Sequence, residues 1–137
     1  MARVVLDASV LVEFLRWSPA GQSVAEVLLR PDISAHAPHL ASVEVLSAFR
    51  SLVARGGISS TRAGSAIDDL ADLPVTRHPA EPFLSRIWQL RANITAYDAT
   101  YIALAEALDA PLLTADRRLA QASGNDADVR FIGQSRI

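Results

Sequence analysis

Residues 2–15 read Ala2-Arg3-Val4-Val5-Leu6-Asp7-Ala8-Ser9-Val10-Leu11-Val12-Glu13-Phe14-Leu15, and the change of pattern at Asp7 decides how the chain is organised. Before it, Ala2–Leu6 is short, apolar and β-branched, the composition of a buried strand. After it, Val10, Leu11, Phe14 and Leu15 recur at helical spacing until Ser18 and Pro19 interrupt them, so a helix begins directly beyond the aspartate. A charge that closes a buried strand is costly unless something compensates it, which makes Asp7 the most pointed residue in the sequence.

Strand and helix keep alternating along the rest of the chain. Residues 33–37, 75–77, 112–114 and 129–132 read as further strands, bounded by proline, glycine and asparagine punctuation. Helical patterns cover residues 20–29, 39–54, 59–73, 80–90 and 95–108, and a short one covers 116–122. This order predicts an α/β domain with a mainly parallel sheet packed by helices on both faces. In such sheets ligands collect at the carboxyl ends of the strands. No repeat, linker or low-complexity tract appears, so one domain over residues 1–137 is expected.

Composition narrows the chemistry. The chain has 137 residues, half of them hydrophobic, enough for one substantial core. It has no cysteine, which removes disulfides, thiolate zinc sites and cysteine nucleophiles. All 13 basic residues are arginine, so there is no lysine for a Schiff base or a P-loop. No apolar run reaches the roughly 18 residues that span a bilayer, and no signal peptide is visible, so a cytoplasmic protein without membrane contact is expected. A net charge of −2 argues against a general nucleic-acid coating protein. A hydrolase with a local basic rim beside an acidic site remains compatible with it.

Four acids stand in unusual surroundings: Asp7, Glu44, Asp98 and Asp116. Taken singly, each has an ordinary explanation. Asp7 and Asp116 follow strands and suit helix N-caps. Asp98 complements a helix dipole from the first turn, and Glu44 suits a wet helix face. Yet Glu44 sits in Leu40-Ala41-Ser42-Val43-Glu44-Val45-Leu46, where both helix faces look wanted by a core, and Asp98 shares its stripe with Ile102 and Ala105. Asp68, Asp69, Asp72, Glu81, Asp126 and Asp128 fit solvated faces or turns, while Glu13 and Asp109 are harder to set aside. If the four converge, each pair at ~4 Å repels by several kcal/mol at an effective dielectric near 20, and a bound cation becomes nearly obligatory. Oxygen ligation without cysteine suits Mg²⁺ or Mn²⁺.

Val4-Val5-Leu6-Asp7-Ala8-Ser9-Val10-Leu11, Ser42-Val43-Glu44-Val45, Tyr97-Asp98-Ala99-Thr100-Tyr101-Ile102-Ala103-Leu104-Ala105 and Leu113-Thr114-Ala115-Asp116-Arg117-Arg118-Leu119 together resemble the acidic motifs of PIN domains, in the family's order and over essentially the whole chain. The VapC toxins of type II toxin–antitoxin systems are the most similar subgroup. The resemblance implies a PIN-like three-layer α/β/α sandwich with a five-stranded parallel sheet. It also implies Mg²⁺-dependent endonucleolytic cleavage of RNA by metal-activated water, with Mn²⁺ as a substitute. Asp7, Glu44 and Asp98 match the family's three most constant acids and Asp116 its more variable fourth, as metal ligands and catalytic residues. Ser9 and Thr114 match supporting hydroxyl positions. A VapB-type antitoxin partner and a homodimer are implied in the same way.

His36, His39 and His78 lack a helical metal spacing and read as structural. Trp17, Trp88, Phe14, Phe83 and Tyr101 read as core or interface by their spacing. Arg117 and Arg118, beside Asp116, read as RNA-phosphate contacts or as solvated cations. Two rivals remain. An aspartyl-phosphate phosphatase also places an aspartate after its first strand, but it resembles Asp-x-Asp where this chain has Ser9, and it relies on lysine. A catalytically inactive PIN-like protein-binding module would have no need of all four acids.

Overall fold

In a computed structural model, which describes residues 2–133, β1 (Ala2–Leu6) stops one residue short of Asp7 and α1 (Ala8–Arg16) starts one residue beyond it. Met1 and residues 134–137, the ends of the expected 1–137 span, lie outside the described residues. Asp7 is extended at φ −86°, ψ 172°, and its carboxylate accepts a hydrogen bond from the Val10 amide, the geometry of an N-cap. The ordinary explanation of this residue is therefore true, and it leaves most of the carboxylate's acceptor capacity to be explained.

The chain continues through α2 (Pro19–Leu28), β2 (Ile33–Pro38), α3 (Leu40–Ala54), α4 (Ser60–Asp72) and β3 (Val75–His78). A 3₁₀ turn (Glu81–Phe83) and α5 (Leu84–Gln89) follow, then α6 (Ala96–Leu108), β4 (Leu112–Thr114), α7 (Arg117–Ala120) and β5 (Val129–Phe131). Side-chain caps explain most helix starts: Ser18 before Pro19, Ser59 and Thr95 each accept from an amide of the following first turn. The helix expected over 80–90 divides into the 3₁₀ turn, with Pro82 at its first positions, and α5. The last strand ends at Phe131 rather than at residue 132.

The sheet is wholly parallel, in the order β3-β2-β1-β4-β5. Val5 pairs with His36 on one side and with Leu112 on the other, so β1 is the central strand. Successive strands step from β1 to β3 in one direction, and the chain then returns across β1 to place β4 and β5 on the far side. Right-handed crossovers put the helices of these two halves on opposite faces. In keeping with this, α1 to α4 pack on one another while α6 packs with α5 and lies against β1, β2 and β4. The result is the three-layer α/β/α sandwich expected above.

The core is built mainly from β1, α1, α3 and α6. Residues Ala99 to Ala105 of α6 are buried without interruption, and their high alanine content lets this central helix approach the sheet closely. Among the described residues no helix is long and apolar enough to cross a membrane. His36 and His78 sit on neighbouring strands with Nδ1 and Nε2 2.9 Å apart, and Ser34 Oγ lies 2.8 Å from His36 Nε2. The two rings thus satisfy one another, as a structural role requires. One ion pair ties the α5–α6 layer together: the Arg86 guanidinium donates to both oxygens of Glu106 at 2.7 and 2.9 Å, and Glu106 also accepts the Asp126 amide.

Candidate active site

The strand order reverses between β1 and β4, and at such a switch point the loops leaving two adjacent strands diverge and open a crevice at the strands' carboxyl edge. Asp7 leaves β1 at that edge, and Thr114 and Asp116 leave β4 beside it. Glu44 lies near the start of α3, which follows β2, and Asp98 lies in the first turn of α6. Asp7 and Asp116 are thus N-caps of the helices that follow β1 and β4, Asp98 lies in the first turn of α6 and Glu44 in the second turn of α3.

The Asp7 carboxylate is buried, 5% exposed, and held by three donors. Ser9 Oγ donates to Oδ1 at 2.6 Å, the Val10 amide to the same oxygen at 3.1 Å, and Thr114 Oγ1 to Oδ2 at 2.5 Å. Both hydroxyls are positioned in turn by the backbone: Ala115 N donates to Ser9 Oγ and Asp116 N to Thr114 Oγ1. Two lone pairs of Oδ1 are thereby used and one of Oδ2, which leaves Oδ2 further acceptor capacity. Ser9 and Thr114, 105 positions apart in the chain, thus meet at one carboxylate.

The electrostatics of the group run in one direction. Burial pushes the Asp7 carboxyl up to about 6 against the opposing pull of Ser9, Thr114 and Val10, and the Asp116 charge adds to the rise. Burial likewise raises Asp98, again with a contribution from Asp116, while Arg118 pulls the other way. Among the described residues no arginine or histidine pairs with Asp7. Asp116 caps α7 through the Arg118 amide and makes a long, exposed ion pair with the Arg118 guanidinium at 3.4 Å. Arg117 instead stacks over the Phe131 ring.

Glu44 enters the group through a residue that sequence reading assigned only to core or interface. Tyr101, 2% exposed, donates its hydroxyl to Glu44 Oε1 at 2.5 Å, bridging α6 to α3. Burial first, and then the Glu44 carboxylate that accepts this bond, push the phenol above its ordinary range, with Asp7 contributing as well. Tyr101 follows Asp98 by three residues, so the two share a helix face, and that spacing was the available signal. The surroundings of Glu44 also differ from expectation. Val43 and Leu46 are 67% and 43% exposed, so α3 offers one face to the core and another to solvent.

Among the described residues no three acidic or histidine side chains stand close enough to hold one ion jointly. The donor set nevertheless fits a hard divalent cation: it consists of carboxylate and hydroxyl oxygens, and two of its acids are raised partly by the charge of a third. A cation would relieve that repulsion, which no neighbouring basic side chain cancels at Asp7. A groove of about 530 Å³ leaves this end of the sheet between α1 and α3, with Ser9, Glu44 and Ala115 in its lining.

The family model for the PIN domain matches residues 4–125. The chain is 42% identical over 129 residues to the ribonuclease VapC12 of Mycobacterium tuberculosis, covering 94% of this chain and 98% of that one. It is 43% identical over 133 residues to ribonuclease VapC1 of the same organism, covering 96% and 99%. Among solved structures, PAE2754 of Pyrobaculum aerophilum superposes with a TM-score of 0.64 at 23% identity, covering 93% of this chain and 84% of that one. VapBC2 of Rickettsia felis, solved bound to a promoter DNA fragment, superposes with a TM-score of 0.67 at 12% identity, covering 93% and 98%.

Proposed function

Because the chain belongs to the PIN-domain family, we propose that it is the ribonuclease toxin of a VapBC-type toxin–antitoxin pair, with Asp7, Glu44, Asp98 and Asp116 as its catalytic, metal-holding acids. The observation that carries the reading is the buried Asp7 carboxylate at the β1/β4 switch point, fixed by Ser9 and Thr114 and repelled by Asp116. Structural burial alone does not favour such a group. A carboxylate with no cationic neighbour is tolerated there when a function repays its cost.

Ribonucleases of this kind depend on a divalent metal, and oxygen-only donors favour Mg²⁺, with Mn²⁺ as substitute. When bound, the ion supplies Lewis acidity toward the phosphodiester and a more acidic water. The protein's own groups do the rest. Ser9 and Thr114 hold the Asp7 carboxylate in one orientation, and their backbone donors keep both hydroxyls aimed at it. Tyr101 holds Glu44 toward the crevice and cannot readily ionise, so it remains a donor. Asp98, half-buried and accepting no hydrogen bond among the described residues, is free to turn toward a cation or a water. The cognate VapB-type antitoxin as partner, and a homodimer, belong to the same proposal.

Cleavage of a single-stranded RNA pool with Mg²⁺, with Mn²⁺ and with chelator tests this directly. Wild type should cleave with either ion and stop with chelator, and Asp98→Asn should lose roughly a hundredfold or more in rate. Unchanged cleavage by that variant would remove Asp98 from the site, and wild type that never cleaves any RNA would favour the inactive binding module. Tyr101→Phe keeps the ring and removes only the donor to Glu44. It should lower cleavage by roughly 10- to 100-fold, as loss of a group that orients a ligand does. A rate equal to wild type would mean that Glu44 does not need to be held.

A further inference from the structure

Most of the described arginines are engaged. Four pair with carboxylates, two donate to backbone carbonyls at element ends, and two lie over aromatic rings. Arg3, Arg16, Arg50 and Arg55 make no such contact among the described residues. Two of these four, Arg16 and Arg55, line the same groove, the one between α1 and α3 whose lining also includes Ser9 and Glu44.

The helices set the order of charges along it. Ser9 and Glu44 lie in the early turns of α1 and α3, Arg16 ends α1 and Arg55 caps α3. Ser9 and Arg16 are separated by about 10 Å of helical rise and Glu44 and Arg55 by about 16 Å. The groove thus runs from Ser9, which donates to Asp7, and Glu44 to two guanidiniums. Glu13, three residues before Arg16 on α1, also lines it and forms no ion pair with either arginine. A guanidinium matches phosphate oxygens in a planar, two-pronged way. The lining contains no aromatic ring on which a base would stack, so contacts there fall to the backbone and set affinity rather than sequence.

We propose that Arg16 and Arg55 bind backbone phosphates of single-stranded RNA lying in the α1/α3 groove, a few nucleotides to one side of the phosphate presented at Asp7; this rests on the ribonuclease reading. The competing explanation is that both cations merely complement the carboxyl ends of their helices. That explanation predicts a lower melting temperature on neutralisation and unchanged RNA binding.

The test is binding of a fluorescently labelled single-stranded oligoribonucleotide, followed by anisotropy across a KCl series with chelator present, alongside KM for its cleavage in Mg²⁺. The double variant Arg16→Gln/Arg55→Gln should bind about tenfold more weakly at low salt and raise KM. The slope of log K against log salt should become shallower by about 1.4, two phosphates at roughly 0.7 each. Arg3→Gln, at the start of β1 and so at the far end of the sheet, should change none of these. If the double variant does not fold, each single variant should remove about half of the slope change. Unchanged affinity and slope in a folded variant overturns the proposal, as does a loss confined to binding of an antitoxin peptide. Cleavage that needs Asp98 but ignores both arginines keeps the ribonuclease and sinks the groove. Arginine-dependent binding without any cleavage by wild type does the reverse.

Discussion

Asp7→Asn is expected to lower RNA cleavage by about a thousandfold, the equivalent of roughly 4 kcal/mol of transition-state stabilisation, while making the metal-free protein more stable at neutral pH. The two effects share one cause. The folded Asp7 carboxyl titrates at about 6 against an ordinary value of 3.8, chiefly because it is buried. Between those values the unfolded chain has lost the proton and the folded chain retains it, so wild-type stability falls as pH rises through that window. Above it the full penalty stands, on the order of 2–3 kcal/mol. Asparagine carries no charge to desolvate and is itself a good N-cap. Its amide nitrogen requires only that the Thr114 hydroxyl, or that of Ser9, turn to accept. Thermal melts in chelator should therefore show the variant above wild type at pH 7.5 and level with it below pH ~4. Adding Mg²⁺ should raise the wild-type melting temperature and leave the variant's nearly unmoved. A variant less stable than wild type at neutral pH would mean that the Asp7 charge is already compensated within the protein.

The second large effect lies away from the site. Gly21 is buried in α2 where that helix crosses α1, and a Cβ built there would meet the Glu13 carbonyl oxygen at 2.0 Å and the Phe14 Cα at 2.8 Å. Both are backbone atoms, so no side chain can turn aside. Gly21→Ala should destabilise by about 2 kcal/mol or more even though alanine is the better helix former. For a chain of this size that is roughly 6–10 °C in melting temperature. Gly64, in α4, has nothing within 4 Å of the same position, and Gly64→Ala should stabilise by up to ~1 kcal/mol. Equal effects at the two glycines would mean that α1 and α2 separate freely.

Local pattern was enough for most of the fold. Each strand and helix boundary depends on features within a few residues: the apolar run before Asp7, the serine and threonine caps, and the glycine pair after α3. It misled in two places. The helix expected over residues 80–90 begins instead as a 3₁₀ turn with Pro82 at its first positions, and the α-helix starts only at Leu84. Glu44 was read as surrounded by core, whereas Val43 and Leu46 face solvent, since no element of the described chain covers that side of α3.

The site divides along the same line. Asp7, Asp98 and Asp116 announce themselves because a charge next to a strand end or an apolar stripe is costly and so stands out in one dimension. Tyr101 does not, because a tyrosine in an apolar helix is ordinary until its hydroxyl is seen to meet Glu44, 57 positions away in the chain. That Arg16 and Arg55 make no ion pair among the described residues is equally invisible in sequence, where every arginine looks alike.

By itself, then, the sequence determined the alternation of strands and helices and the ordered set of acids, since both follow from short-range chemistry along the chain. Only the tertiary structure decided that the strand order reverses beside β1, that the Ser9 and Thr114 hydroxyls converge on one carboxylate, and that Ser9 and Glu44 share a groove with two guanidiniums that make no ion pair among the described residues. Those are facts about which distant residues share a volume and are shielded from water together, and that shielding is what raises Asp7 toward neutrality and makes a cation worth binding.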